Sequence, residues 1–476
     1  MTASRTLPEP APIDSQATVA ALVERARVAL QDYSQSDQRR VDEAVTALAW
    51  SVYKSAHARE LAELAVRDTG IGNAPDKVIK NQRKTFGTLR DLMRVKTVGV
   101  IEEQPDKGLV KFAKPVGVVG AVCPSTNPAA TPVNKSMMAL KGGNAIIIAP
   151  SPSGWSATKR TVELMREALA NIGLPADLVQ ILPAPVDKSL TGALMRQVDL
   201  IVVTGSQNNV RAAYSSGTPA IGVGAGNVPV IIDSSADLLE AAKKIRASKI
   251  FDNSTSCSSE NSLVILEDVY DEAMASLQQV GGYLANSAEK QQIENTLWVN
   301  GRLNRKVIAK DMAIFAREAG LPNSAAAAKF AMVEETGVGP KYPFSDEKLS
   351  LVLTVYRAAT FDSAIERVRE ILNFRGRGHS CGIHTQLMDH ATSLAEKIDV
   401  VRVLVNQAHT FGNGGGFDSG LNFTLSMGCG TWAGNSISEN LNYQHFINIT
   451  HLSTVIPEDK PTEEELFGAH WERYGQ

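Results

Sequence analysis

The stretch Val116-Gly117-Val118-Val119-Gly120-Ala121-Val122, which runs directly into Cys123-Pro124-Ser125-Thr126-Asn127-Pro128, decides the fold. Its short apolar run ends in turn-forming residues, which predicts a buried strand. Similar apolar runs recur at 145–148, 179–182 and 200–203, with helical patterns between them at 130–140, 156–170 and 188–195. Strands that alternate with helices form parallel sheets with helices on both faces. We therefore predict an α/β lobe that binds a nucleotide.

A second α/β pattern follows from residue 238 onward. Its strand-like runs lie at 263–266 and 352–356, and its helical patterns lie at 270–284, 291–298 and 361–372. Helical patterns also open the chain, at 16–67 and 76–93. Residues 97–113 alternate in polarity and turn at Pro105-Asp106-Lys107-Gly108, which predicts a β-hairpin.

Composition excludes several classes of function. The 476 residues carry 48 basic and 51 acidic side chains, a formal charge of −3, which gives no basic surface for nucleic acid. The apolar runs are too short to cross a bilayer, and the first 14 residues lack the segments of a signal peptide. The four cysteines stand far apart without CxxC pairs, as is typical of a reducing compartment. We expect a cytoplasmic protein without nucleic-acid or membrane partners.

Cys257 lies among hydroxyl and amide side chains, in Phe251-Asp252-Asn253-Ser254-Thr255-Ser256-Cys257-Ser258-Ser259-Glu260-Asn261. A thiol at the mouth of a buried strand could be a covalent nucleophile, although free cysteines more often pack as small hydrophobes. Two further motifs are weak on their own. The glycine turn at 222–227 lacks the GxGxxG spacing, and Thr204-Gly205-Ser206 follows a strand at the edge where parallel sheets bind ligands.

Together these motifs resemble the aldehyde dehydrogenase superfamily. They occur in its order and spacing: 124–128, 143–151, 204–206, 222–227, Cys257 and Glu347-Lys348-Leu349-Ser350. The stretches 220–227 and 428–440 are similar to the CoA-acylating branch, and the whole chain most resembles the acylating sulfoacetaldehyde enzymes of that branch. The resemblance implies a Rossmann-type nucleotide-binding lobe, an α/β catalytic lobe and a β-hairpin oligomerisation arm.

The resemblance also implies a mechanism. Cys257 would add to the aldehyde carbonyl, and the Asn127 amide with the Cys257 backbone N–H would stabilise the oxyanion. Hydride would pass to the nicotinamide and leave a thioester on Cys257. Glu347 would hold the nicotinamide ribose. The other residues expected around the cofactor are Pro124, Ser125, Thr126, Ser151, Ser153, Thr204, Gly205, Ser206, Gly222, Val223 and Gly224.

Two departures from the hydrolytic family indicate which molecule accepts the acyl group and which nucleotide binds. Val223 stands where those enzymes carry the glutamate that activates water, which favours transfer of the acyl group to coenzyme A. Ala149 and Pro152 replace the Lys and Glu around the adenosine ribose, so a 2′-phosphate would not clash. We expect NADP, with Ser151, Ser153 and Lys159 as phosphate donors, while NAD stays possible.

His379 is a candidate base for the thiol, and the hydroxyls around Cys257 indicate the kind of substrate. The group His379-Ser380-Cys381 with His384 lacks a fourth ligand and paired spacing, so we expect no metal. The acylating enzymes carry a matching Gly-His pair, which places His379 at the active-site mouth as a possible base for the thiol. Thr255, Ser256, Ser258 and Ser259, with Arg375 and Arg377, would suit an aldehyde with an anionic end, hence sulfoacetaldehyde.

Several alternatives stay open on the sequence. The aldehyde could be acetaldehyde or succinate semialdehyde, the reaction could be hydrolytic, or the chain could be a non-catalytic nucleotide-binding protein. For the domains, we expect nucleotide binding at 1–232 with the hairpin 97–113 in the arm, catalysis at 233–440, an arm strand at 441–456 and a solvated tail at 457–476. Arms of this kind cross between subunits, so we expect a homodimer or homotetramer.

Overall fold

Two parallel sheets, a three-stranded antiparallel sheet and a short two-stranded antiparallel pair organise the chain in the computed structural model, which describes residues 14–476. Residues 1–13, on which the expected lack of a signal peptide mainly depends, lie outside the described part. The helices are α1 (Ser15–Tyr33), α2 (Gln38–Tyr53), α3 (Ser55–Thr69), α4 (Ala74–Leu92), α5 (Ala130–Lys141), α6 (Trp155–Asn171), α7 (Lys188–Gln197), α8 (Gln207–Tyr214), α9 (Leu238–Ile250), α10 (Tyr270–Gln279), α11 (Ser287–Leu297), α12 (Met312–Ala319), α13 (Asn323–Ala327), α14 (Phe361–Phe374), α15 (Met388–Lys397), α16 (His409–Gly412) and α17 (Glu463–Tyr474).

The strands follow the same α/β rhythm along the chain. They are β1 (Gly99–Gln104), β2 (Leu109–Pro115), β3 (Val118–Val122), β4 (Ala145–Ala149), β5 (Val179–Ile181), β6 (Leu200–Val203), β7 (Ala220–Gly222), β8 (Val228–Ile232), β9 (Glu260–Leu266), β10 (Gly282–Leu284), β11 (Trp298–Val299), β12 (Arg302–Leu303), β13 (Phe330–Glu334), β14 (Val352–Ala358), β15 (Cys381–His384), β16 (Val403–Val405) and β17 (Ile447–Ser453).

The first parallel sheet has the order β5-β4-β3-β6-β7. Its central strands are apolar on both sides because helices cover both faces, and α1, α2, α5, α6 and α7 supply residues to its core. The chain moves from β3 outward to β5 and then returns to β6 on the other side of β3. Ligands bind at such a reversal of strand order, at the carboxyl ends of the strands. There the buried Lys135 donates to the carbonyl oxygens of Val122 (2.8 Å) and Val202 (3.1 Å).

The second parallel sheet has the order β10-β13-β14-β9-β8-β15-β16. Strand β8 pairs with β9 and β15, so it belongs to this sheet. The change of sheet therefore falls between Gly222 and Val228, before the expected domain boundary at residue 232. The apolar run of β8 suits a central strand of either sheet. Only its pairing partners show to which sheet it belongs.

The antiparallel sheet has the order β1-β2-β17 and joins the predicted hairpin to the C-terminal part of the chain. Residues 109–115 of β2 pair with residues 447–453 of β17 over the full length of both strands. The strand expected at 441–456 is shorter, because Tyr443–Phe446 forms a 3-10 turn capped by Asn442.

Local turn chemistry explains two further differences from the sequence pattern. The helix expected at 270–284 ends at Gln279, because Gly281 adopts a left-handed φ of 103° and residues 282–284 then form β10. In the exposed segment after residue 457, Thr462 and Glu465 form a capping box, so the acidic run opens helix α17.

None of the helices described combines the length and apolar composition that crossing a lipid bilayer requires.

Asn144 ties three elements of the first lobe together and generates a stability prediction. Its Oδ1 accepts from the N–H groups of Val116 (2.7 Å) and Gly117 (3.0 Å), and its Nδ2 donates to the carbonyls of Ala139 (2.9 Å) and Phe446 (2.7 Å). We expect Asn144→Ala to lower the free energy of unfolding by roughly 3 kcal/mol, since buried backbone groups lose partners. Urea denaturation followed by circular dichroism measures this loss. Asn295→Ala, on an exposed helix surface, is the control and should change stability by less than about 0.5 kcal/mol.

Candidate active site

Loops from both parallel sheets meet around Cys257. Lys77 from α4 donates to the Thr126 carbonyl after β3 (3.1 Å) and to the Asp252 carboxylate (2.9 Å), so it links the two lobes. The glycine turn, residues 222–227 between β7 and β8, packs directly on the cysteine. A Cβ built on Gly226 would lie 2.8 Å from Cys257 Cβ and still closer to its carbonyl oxygen. Only glycine permits this approach.

The nucleophile loop, residues 251–259, has an unusual backbone. Asp252, Asn253 and Ser254 adopt left-handed φ values of 51°, 54° and 61° in succession. Each such residue costs about 1 kcal/mol relative to the right-handed conformation, although Asp and Asn tolerate it best. The cost is offset at Asp252, whose carboxylate accepts hydrogen bonds from Lys77, Lys80, Thr255 Oγ1 and the Asn73 N–H. These bonds fix the path of the chain into Cys257.

The hydroxyls around Cys257 mostly bond within the protein. Thr255 donates to Asp252 (2.6 Å), Ser254 donates to Ser259 (2.9 Å), and Ser256 Oγ accepts from the Ser258 N–H (3.2 Å). Ser258 Oγ accepts from Asn413 Nδ2 (2.9 Å) and contacts Met427 Sδ. From the sequence, these hydroxyls are expected to bind an anionic substrate. In the structure, these contacts shape the loop.

Cys257 is partly exposed as a residue, and the surroundings of its sulfur disfavour the thiolate. Burial of the sulfur, followed by the charges of Glu347 and Cys429, raises the pKa of the Cys257 thiol to about 12. Burial and the neighbouring Asp346 carboxylate raise the pKa of Glu347 to about 8. The thiol is therefore protonated at neutral pH, and its proton must be removed before it can attack.

The second thiol of the site, Cys429, lies behind the glycine turn. A Cβ built on Gly224 would lie 2.8 Å from Cys429 Sγ. The buried Arg402 holds this region together by donating to the carbonyls of His379 (2.8 Å) and Gly428 (2.9 Å) and to Asn440 Oδ1 (3.0 Å). The motif at 428–440 indicated the family, but nothing in the sequence indicated that Arg402 packs beside it.

His379 is buried near this region, with Nδ1 2.8 Å from Ser380 Oγ and Nε2 without a partner among the described residues. Burial, followed by the charges of Arg402 and His409, holds its pKa well below the usual range. The imidazole is therefore neutral, and it is a weak base for a thiol of raised pKa. Its proposed role in deprotonation stays a prediction.

Asn127 lies in the loop after β3, on the lobe opposite the nucleophile loop. Its amide makes a single long hydrogen bond, 3.4 Å to Thr126 Oγ1, and its Oδ1 is buried without a partner among residues 14–476. The second N–H of Asn127 Nδ2 has no partner among the described residues, which fits the role of an oxyanion donor. Pro124, Ser125 and Thr126 lie in the same loop.

The remaining expected cofactor residues follow neighbouring strands of the first sheet. Ser151 and Ser153 follow β4, and the Ser151 hydroxyl is buried without a partner in the described chain. Thr204, Gly205 and Ser206 follow β6, where Ser206 caps α8 and a Cβ on Gly205 would meet no atom within 4 Å. Open space and an unpaired hydroxyl at this edge fit a nucleotide.

Glu347 lies in a loop that is hydrogen-bonded to the glycine turn. Asn227 Nδ2 donates to the carbonyls of Ser345 (2.9 Å) and Arg375 (3.2 Å), and Asn261 Nδ2 donates to Asn227 Oδ1 and to the Asp346 carbonyl. The loop that carries Glu347 is thereby joined to both the glycine turn and β9.

The structure does not bring the two expected arginines to the thiol as free cations. Arg375 pairs with Asp346 and is about half exposed. Arg377 pairs with Asp399 on the surface, in a pocket that it shares with Arg369 and Lys397. Each guanidinium already has a carboxylate partner. Sequence reasoning missed the cations that do lie near the nucleophile loop, namely Lys77, Lys80 and Lys84 of α4.

The comparisons with known proteins agree with this geometry. The model of the aldehyde dehydrogenase family matches residues 9–287. The chain belongs to the aldehyde dehydrogenase family. An acylating sulfoacetaldehyde dehydrogenase of Cupriavidus necator is 51% identical over 459 residues, which make up 96% of this chain and 93% of that protein.

Two solved structures of aldehyde dehydrogenases share the fold. An acetylating aldehyde dehydrogenase from Geobacillus thermoglucosidasius has a TM-score of 0.90 at 35% identity, covering 94% of this chain and 98% of that one. The propionaldehyde dehydrogenase of Rhodopseudomonas palustris, with bound propionyl-CoA, has a TM-score of 0.82 at 26% identity, covering 92% and 94%. The predicted α/β fold and the resemblance to the CoA-acylating branch are confirmed.

The raised pKa of Cys257 predicts how this aldehyde dehydrogenase reacts with alkylating agents. Only about one thiol in 10⁵ is ionised at pH 7 if its pKa is 12, and this fraction grows about tenfold per pH unit. We expect the rate of modification by iodoacetamide to rise about tenfold per unit from pH 7 to pH 10 without levelling off. Mass spectrometry of the peptide that contains Cys257 measures this rate, with a Cys257→Ser variant as the blank. A plateau near pH 8 would mean that the thiol has an ordinary pKa.

Proposed function

We propose that this aldehyde dehydrogenase oxidises sulfoacetaldehyde and transfers the acyl group to coenzyme A, forming sulfoacetyl-CoA reversibly. The identity to the Cupriavidus necator enzyme over nearly the whole chain supports this substrate. The geometric observation that carries the acylating reaction is Val223. This apolar, 7% exposed side chain lies in the glycine turn that packs on Cys257, where a hydrolytic enzyme needs a carboxylate.

In this proposal Cys257 forms the carbon–sulfur bond. Its proton leaves to a base, and the thiolate adds to the aldehyde carbon to give a thiohemiacetal. The Asn127 amide and the Cys257 N–H stabilise the oxyanion. A nicotinamide nucleotide, NADP or NAD, would supply the hydride acceptor when bound, and loss of the hydride would leave a thioester on Cys257. The CoA thiol then displaces Cys257.

We assign the nucleotide to the carboxyl edge of the first sheet. Ser151, whose hydroxyl has no partner within residues 14–476, Ser153 and the open space at Gly205 would hold the phosphates and the adenosine ribose, and Glu347 would hold the nicotinamide ribose. Lys159, an expected phosphate donor, pairs with Glu163 at 3.3 Å in an exposed position, so it is free to change partners. No carboxylate follows β4 at the position of Pro152, which favours NADP.

The reaction class and the substrate are tested together. We expect nicotinamide reduction to require CoA, with steady turnover in CoA-free buffer below about 1% of the full rate, because Val223 stands where a hydrolytic enzyme carries the glutamate that activates water. We also expect kcat/KM for sulfoacetaldehyde to exceed that for acetaldehyde and succinate semialdehyde by at least about tenfold. Absorbance at 340 nm with both nucleotides measures these rates. Equal turnover without CoA would contradict the acylating reaction, and a preference for either other aldehyde would contradict the substrate.

We further propose a cytoplasmic homodimer or homotetramer, assembled through the arm sheet β1-β2-β17. Strand β17 is an edge strand of this sheet and exposes Ile449 and Leu452, with Val455 and Ile456 just beyond it. An exposed apolar edge of this kind needs a partner.

The arm proposal predicts the effect of charges on β17. We expect the double substitution Ile449→Asp and Leu452→Asp to convert the oligomer to monomers, because two buried carboxylates would be desolvated in the interface. Light scattering after size-exclusion chromatography measures the mass. The control, Asn448→Asp with Thr450→Asp, adds the same charge at polar positions of the same strand and should keep the oligomer. An unchanged mass in the first variant would rule out β17 as the contact.

A further inference from the structure

The buried face of α4 is cationic, which is the reverse of an ordinary amphipathic helix. Lys77, Lys80 and Lys84 lie at spacings of three and four residues and are all at least nine-tenths buried. We call these three residues the lysine face. Their ammonium groups point toward the nucleophile loop and the loop at 413–416. A buried cation normally has a carboxylate partner.

Two of the three lysines have such a partner. Lys77 and Lys80 both donate to the carboxylate of Asp252, and Lys80 also donates to Thr255 Oγ1. The charge of Asp76 adds to that of Asp252 at Lys77. Their positive charges are therefore balanced by the carboxylates that hold the nucleophile loop in place.

Lys84 lacks a carboxylate partner. Its Nζ donates to the Gly414 carbonyl at 2.7 Å and lies 5.5 Å from the centre of the Phe423 ring. Within residues 14–476 no carboxylate lies at ion-pair distance from this ammonium. One carbonyl satisfies one of its three N–H groups, so two donors stay available. Burial lowers the pKa of Lys84 to about 7.

The loop that accepts a hydrogen bond from Lys84 also contacts the nucleophile loop. The residue before Gly414, Asn413, donates to the Ser258 hydroxyl at 2.9 Å, and Ser258 is the neighbour of Cys257. Asn413 Oδ1 is buried without a partner among the described residues. The negative charge of an ionised Cys257 is near enough to raise the pKa of Lys84. One loop thus connects the unpaired cation to the nucleophile.

A second polar group without a partner lies beside Lys84. Arg83 Nε is buried and makes no hydrogen bond within the described chain, and its guanidinium lies 5.2–5.6 Å from the rings of Phe411, Phe417 and Phe423. An apolar wall beside an unpaired cation excludes water and strengthens attraction for an anion. Arg375 and Arg377 differ from Lys84 in that they are about half exposed and each pairs with a carboxylate.

We propose that Lys84 is the receptor for the sulfonate end of the substrate. The inference rests on the proposed function, since it names the group that would recognise the sulfonate in the same active site. The two free N–H groups of Lys84 would donate to two sulfonate oxygens. The aldehyde carbon, two bonds from the sulfur atom, would then lie toward Cys257. A neutral aldehyde makes no such contact, so Lys84 acts mainly on specificity for the anionic end of the substrate.

The test compares a charged with a neutral aldehyde. We expect Lys84→Met to lower kcat/KM for sulfoacetaldehyde by at least about 100-fold, mostly through KM, because the anion would be buried without a partner. For acetaldehyde, kcat/KM should stay within about threefold. Lys84→Arg should restore part of the lost activity. The matched control is Lys135→Met, which removes another buried lysine bonded only to carbonyls and should change both aldehydes by the same factor.

The outcomes separate the two proposals. Equal losses for both aldehydes in Lys84→Met would overturn the role of Lys84, while the proposed function would stand if the wild type still preferred sulfoacetaldehyde. If the wild type instead preferred acetaldehyde, the proposed substrate itself would fail, whatever Lys84→Met did.

A measurement on the wild type covers the case in which Lys84→Met does not fold. The probe is ethanesulfonate as a competitive inhibitor against acetaldehyde. The charged or titratable groups that face Lys84 are Lys80 and Arg83 on α4 and Cys257 on the nucleophile loop. Sulfonates stay ionised throughout, so the inhibition constant should be flat below pH 7 and rise up to tenfold per pH unit above it, as Lys84 loses its proton. Inhibition that does not vary between pH 6 and pH 9 would overturn the proposal.

Discussion

The bond between the Asp252 carboxylate and two lysines of α4 is the interaction on which the site depends. Asp252 is completely buried, and burial alone would favour its neutral form, but Lys80 and Lys77 hold its pKa below the usual range. Removing one partner of such a buried group typically costs about 3–5 kcal/mol. These ion pairs hold the segment in which three successive residues are left-handed. The direction of the Cys257 side chain, which follows this segment, therefore depends on them.

The sequence was sufficient for the fold and for the residues that line the first sheet, because both follow from local patterns. Apolar runs of four to seven residues between amphipathic segments give parallel strands and helices without reference to distant contacts. The family motifs also predicted which loops come together, since parallel strands end at one edge. The position of β8 could not be predicted in this way, because its composition suits either sheet and only pairing decides.

The electrostatics of the site could not be predicted from local patterns. Hydropathy assigns Lys77, Lys80 and Lys84 to the solvent side of α4, yet they form its buried face. The signal was present in their spacing, but the carboxylate that balances two of them lies 172 residues further along the chain than Lys80. The same limit applies to the serines near Cys257, whose hydrogen bonds to one another appear only once the loop is folded.

The packing of the glycine turn against Cys257 and Cys429 has a consequence for the divergence of acylating and hydrolytic enzymes. Val223 is followed in the turn by Gly224 and Gly226, and neither glycine has room for a side chain, so the turn cannot shift to make space. A glutamate at position 223 would enter a nearly closed environment in which its longer side chain has no room made for it. Exchanging this residue alone would therefore not yield a competent hydrolase. An evolutionary path between the two activities would need coordinated changes in the residues around Cys257 and around Cys429, because both confine the turn.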